Sequence, residues 1–238
     1  MRPRLPLLAV LGVLALGCAS VQPLAGTLSY ARLPEGAAPR PEDFEAAVAG
    51  AEGPRDDVVL ARVATGPASW VVWARSGPGA RLIRVERTSL GLEVRDARWL
   101  AGVPIRPTLS AWPVGPLVIV VAERSDELSS TTRRGALFSD DGARLSPLAL
   151  GDVDGELAIR VERRTPVGDG WERVATCTTT LASDRDGLLL HEHATVREIA
   201  LARPELPARS THEVERARRL RVGDGALVAD RPSLFDGL

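Results

Sequence analysis

The sequence predicts a mainly β fold: a single antiparallel meander of long strands forming a curled sheet, half-barrel or sandwich, behind an N-terminal flexible tether. Three observations carry this. From Val58 onward apolar and charged residues alternate with period two, the mark of strands with one buried face. Four acid-glycine turn signals between residues 140 and 187 sit about 13 to 18 residues apart, room for strands joined by tight hairpins. The crossover of about a dozen residues that a parallel pair needs fits nowhere between them, and no sustained 3.6-residue apolar stripe is present.

Composition bounds the function classes. Of 238 residues, 45% are hydrophobic and 26% charged, enough to bury a core without staples. All 30 basic residues are Arg, with no Lys and no Asn, which reads as the codon bias of a GC-rich genome. The formal net charge is -1. Without residues 1–17 the chain loses two Arg and no acid, leaving 28 Arg against 31 acids, or -3. A nucleic-acid partner normally demands a basic excess, so none is expected.

The elements follow in chain order. Arg2 and Arg4 precede an apolar stretch, residues 5–16, that ends in Leu14-Ala15-Leu16-Gly17-Cys18. A bilayer span needs about 20 apolar residues, so this length suits the core of a signal peptide. Basic start, apolar stretch, small residue and Cys together resemble the signal peptide and lipobox of bacterial lipoproteins, over residues 1–18 only. The resemblance implies cleavage before Cys18, a diacylglycerol on its thiol, an acylated (palmitate-bearing) amine and a membrane anchor in the cell envelope. Ala19 and Ser20 follow in place of the Asp that commonly retains such proteins in the inner membrane. The implied location is therefore the outer membrane, facing the periplasm. Residues 1–17 are then the signal peptide, 18–57 the lipidated Cys with an Ala/Pro/Gly-rich tether, and 58–238 the β domain.

Within the tether, Pro41-Glu42-Asp43-Phe44-Glu45-Ala46-Ala47-Val48 has Pro and acids where a helix start favours them. Leu90, Leu92 and Val94 alternate with Glu93 and Arg95, and Leu157, Ile159 and Val161 with Arg160 and Glu162. Residues 117–122 are continuously apolar, as in a strand covered on both sides. Residues 101–116 carry four Pro and read as an irregular loop or an edge crossing. Turns are expected at Asp140-Asp141-Gly142, Asp152-Val153-Asp154-Gly155, Gly168-Asp169-Gly170, Asp184-Arg185-Asp186-Gly187 and Gly223-Asp224-Gly225. The last segment reads as a hairpin; Ser210 with Glu213 as a helix-capping pair is the competing reading.

Chemistry is thinly signalled. The sequence has no Gly-x-Ser-x-Gly elbow, no phosphate-cradling Gly-Lys loop, and no second His after His212-Glu213 to complete a zinc-protease helix. Asp152 to Glu156 lacks the spacing of a calcium loop. Lipidation of Cys18 leaves Cys177 without an intramolecular disulfide partner. One cluster stands out. His191 and His193 share a strand face, and if Ala182 pairs with Leu188, then Cys177 lies opposite His193 and Thr179 opposite His191. Two His and a Cys suit zinc or copper. A register slip of one residue moves Cys177 to the other face, and that face also carries Trp171, Ala175 and Leu181, so a buried thiol beside partly exposed His is the plainer reading. Trp70, Trp73, Trp99 and Trp112 are candidates for an apolar ligand groove, or else large core residues. Arg216, Arg218, Arg219 and Arg221 read as a solvated face, or as a contact for lipid phosphates. The expected function is a non-catalytic envelope lipoprotein binding a partner protein or an apolar ligand; the alternative is a metal-binding lipoprotein using His191, His193 and Cys177.

Overall fold

A computed structural model describes residues 30–31, 33, 37–50, 58–77, 79–100, 105–125, 132–150, 156–223 and 226–237. The signal peptide, Cys18 and the Asp152-Val153-Asp154-Gly155 turn lie outside the described residues. Among the described residues no helix is long and apolar enough to cross a membrane.

The fold is mainly antiparallel β, as expected, but the meander is divided between two open sheets. Five strands form the first: β1 (Tyr30–Ala31), β2 (Val58–Gly66), β3 (Ser69–Ser76), β4 (Gly79–Thr88) and β5 (Gly91–Leu100), in the order β1-β5-β4-β3-β2. The second holds β6 (Ile105–Val114), β7 (Leu117–Ser125), β8 (Arg133–Asp140), β9 (Leu145–Pro147), β10 (Ala149–Leu150), β11 (Leu157–Gly168), β12 (Trp171–Ser183), β13 (Leu188–Ala200), β14 (Ser210–Val222) and β15 (Ala226–Ala229). Its order is β10-β15-β14-β13-β12-β11-β8-β7-β6, with β9 on β8. One pair, β10 with β15, is parallel.

Alternation decides which side chains meet. Even-numbered Val72 and Ala74 of β3 face α1 (Pro41–Gly50), whose Phe44, Ala47 and Val48 are buried on them. The expected helix therefore forms, and its packing ties part of the 18–57 stretch to the body. Odd-numbered Val71 and Trp73 face the second sheet and share a core with Val120, Ala122, Phe138 and Leu145. The opposite face of β7 gives Ile119 and Val121 to a third core, with Leu157, Leu188, Leu190 and Leu220. Residues 117–122 are thus covered on both sides, as their unbroken apolar run implies. Because β6–β8 and β11–β15 bury side chains against each other, the second sheet curls around that third core as an open half-barrel. The Pro-rich 101–116 stretch supplies its edge strand β6, where Pro107 and Pro113 need donate nothing to a further neighbour. Ser210–Val222 is a strand paired with β13 and, at its end, with β15.

Charged groups also join the sheets. Asp140 accepts from Arg84 Nε at 3.0 Å and from Thr65 Oγ1 at 2.7 Å. Asp96 accepts from the Leu145 amide at 2.8 Å, and Arg98 Nε donates to the Leu145 carbonyl at 2.7 Å.

Candidate functional site

The strands β11–β14 are 12 to 13 residues long, and only about half of that length is spent on the core. Register sorts their inner face into rows. Ile159 and Leu190 belong to the core. Glu192 lies beyond Leu190 on the same face, directly opposite Thr179, and is fully buried. Its carboxylate sits 2.7 Å from Arg218 Nε, a side chain equally buried. Ser233 Oγ donates to it at 2.7 Å and the Leu234 amide at 2.8 Å. The C-terminal segment, ending in the 3-10 turn Leu234–Gly237, therefore closes over the pair. Both ions are fully desolvated, and the carboxylate accepts two hydrogen bonds besides its ion pair, the condition under which a buried pair is tolerated.

The next rows are apolar and small: Val161, Cys177, Ala194 and Val214, then Ala175 and Val196 flanked by Arg163 and His212. A final row places Thr165, Arg173, Glu198 and Ser210 side by side. These last two rows line a groove of about 530 Å³, within the roughly 300–1,000 Å³ range of small-molecule sites. Glu198 accepts from Arg209 at 2.7 Å and Arg173 at 3.0 Å, and first Arg209, then Arg173, hold its carboxyl below the ordinary range. At the tip Arg209 also stacks over Trp171, 4.8 Å from the ring centre.

The residues expected to form a metal site are separated. Ser183 pairs with Leu188, not Ala182, so Thr178 lies opposite His193, Thr180 opposite His191, and Cys177 opposite Ala194. This is the one-residue slip that reverses faces. Its physical cause is the turn: Asp184 Oδ1 accepts from the amides of Asp186 and Gly187, both at 2.9 Å, so the loop spans four residues and Ser183 stays in the ladder. Cys177 faces inward and is fully buried. Burial, and then the Glu192 carboxylate, push its thiol up to about 12. His191 and His193 remain together on the outer face, in a shallow cleft of about 290 Å³ with Thr180, Glu215 and Ala217. Among the described residues no three His, Cys, Asp or Glu are grouped to hold a metal ion.

The four Trp do not meet either. Trp73 is core between the sheets, and Trp70 lies on the opposite face of β3, edge-on to Phe44 at 5.5 Å. Trp99 lies under the Arg81 guanidinium at 5.5 Å. Trp112 packs on the half-barrel core and donates to Ser110 Oγ at 3.0 Å. Trp70, Trp73 and Trp112 fill three separate cores in a chain with three Phe, while Trp99 is exposed. The Arg run is not one solvated face: Arg218 is buried, Arg219 bonds Asp184 at 2.6 Å, Arg216 is half-buried and donates to the Pro232 carbonyl at 3.0 Å, and Arg221 is exposed.

Sequence reasoning missed the groove and the Glu192–Arg218 pair. A signal for the pair existed: Leu188, Leu190, Glu192, Ala194 and Val196 share one parity, so an acid interrupts an otherwise apolar face. Arg216 and Arg218 interrupt Val214, Leu220 and Val222 in the same way.

No family model, curated protein or solved structure matches this chain.

Proposed function

We propose that this chain is a cell-envelope lipoprotein, held in the outer membrane by acyl chains on Cys18, and that it is a non-catalytic binding module for an apolar ligand or a partner protein. The anchor rests on the leader sequence. The binding role rests on one observation: the half-barrel interior does not end at its core but continues past a sealed charged pair into an open, apolar-floored groove. Glu198, the carboxylate at the groove, is held below the ordinary range by Arg209 and Arg173, which makes it an ion-pair partner and not a proton donor.

Two measurements test this. The parent should incorporate labelled palmitate and fractionate with membranes, and the Cys18→Ser chain should do neither; identical behaviour of the two forms removes the anchor. Native mass spectrometry of the Cys18→Ser chain purified from cells, together with an envelope pull-down, should show a co-purifying apolar ligand or partner that a bulky Ala175→Trp substitution displaces. Recovery unchanged in that variant removes the groove as the binding site.

A further inference from the structure

Charge is distributed unevenly around the groove. The chain as a whole carries a slight negative excess, yet the inner face here presents Arg163 from β11, Arg173 from β12 and Arg209 from the loop before β14, against the single carboxylate of Glu198 from β13. His212 from β14 completes the rim. Arg173 and Arg209 share Glu198. Arg163 is exposed and has no ion pair among the described residues. Among the described residues β8 pairs with β11 only as far as Arg160. From Arg163 the floor runs through Ala175 and Val196, beside the wholly apolar row of Val161, Cys177, Ala194 and Val214.

A cation at the end of an apolar floor selects a molecule with the converse layout. Resting on the reading of the groove as a binding site, we infer that its occupant is a single-chain amphiphile with an anionic head, a long-chain carboxylate. The head meets the Arg163 guanidinium, which presents a fork of donors matched to a carboxylate. The chain lies across the four strands, three spacings of about 4.8 Å, or roughly 14 Å. The tip beyond the groove is itself apolar in part: Leu201 and Leu206 are 55% and 45% exposed, and the Leu201 amide donates to the Gly170 carbonyl at 2.8 Å, which places Leu201 beside the β11–β12 turn. An amphiphile with a cationic head is disfavoured by the same guanidiniums.

The test is calorimetric titration of the full chain as its Cys18→Ser form with three probes of equal chain length: laurate, dodecanol and dodecyltrimethylammonium. Laurate should bind at least ~10-fold more tightly than dodecanol, the usual scale of one charge-assisted contact, and the ammonium probe most weakly. Arg163→Glu, a change at an exposed site checked by circular dichroism, should abolish the laurate preference and favour the ammonium probe; Arg163→Gln should bind laurate and dodecanol alike. Equal affinity of the parent for laurate and dodecanol, or a laurate preference that survives Arg163→Glu, overturns the inference. If both of those probes bind equally and Ala175→Trp blocks both, the groove reading stands without its anionic specificity. If no probe binds, both fall.

Discussion

At the scale of single residues, burial settles what the titratable groups can do. Cys177 has its thiol raised to about 12 by burial and then by Glu192. The group is protonated and inert, and its neutral form contributes stability that is intact below the ordinary thiol range and lost as pH climbs toward 12. Native protein should therefore leave a thiol-specific disulfide reagent unconsumed at pH 8 and react fully once denatured in urea. Rapid reaction of the native form would mean that Cys177 is accessible. Glu192 and Arg218 behave differently, because both are charged. Removing one partner strands the other without water, and such losses run to about 3–5 kcal/mol. Glu192→Gln and Arg218→Met should each lower the urea midpoint accordingly. The Glu192→Leu, Arg218→Met double variant should lose much less than the sum of the two, because no buried charge is left; an additive loss would refute the coupling.

Elements show why part of the fold was legible and part was not. Alternation in β5 and β11 is plain in the sequence because one face packs and the other is wetter, and that physics acts residue by residue; β14, largely exposed on both faces, reads ambiguously. Register is not local in this way. The expected Ala182–Leu188 pairing and the observed Ser183–Leu188 pairing differ by one residue, and only the Asp184 side chain, by capping a four-residue turn, decides between them. The metal cluster was lost on that single offset. The groove was hidden for another reason: it is defined by where the third core stops, which depends on the curl of the whole sheet. The turn that sets the register is itself tightly packed. A Cβ on Gly187 would collide with the backbone carbonyl of Leu220, so Gly187→Ala should cost about 1–3 kcal/mol as overpacking does, read as a fall in Tm; an unchanged Tm would show that β14 can move aside. At the other end of these strands Glu198, depressed by Arg209 and Arg173, supports the tip above the ordinary carboxylate range and ceases to do so as pH falls through its lowered value. Amide exchange in β13 near Glu198 should quicken in acid before exchange near Leu190; simultaneous quickening would contradict a local effect.

For the whole molecule, the question is whether the two sheets unfold together. They share an apolar core and the Asp140 contacts with Arg84 and Thr65. Parent unfolding should be one transition, with Trp fluorescence and far-ultraviolet circular dichroism coincident. Asp140→Ala strands Arg84 at the join and should lower the midpoint and separate the two signals, since most Trp residues report on the first sheet. Coincident curves in that variant would show that apolar packing alone couples them.

The half-barrel is finished by its last residues. Glu192 receives two donors from positions 233 and 234, and β10 finds its partner only in β15. Contacts between positions so far apart in sequence form late in folding, because the intervening loops must close first. The curl of the second sheet is thus locked by its longest-range contacts, after its local hairpins have formed.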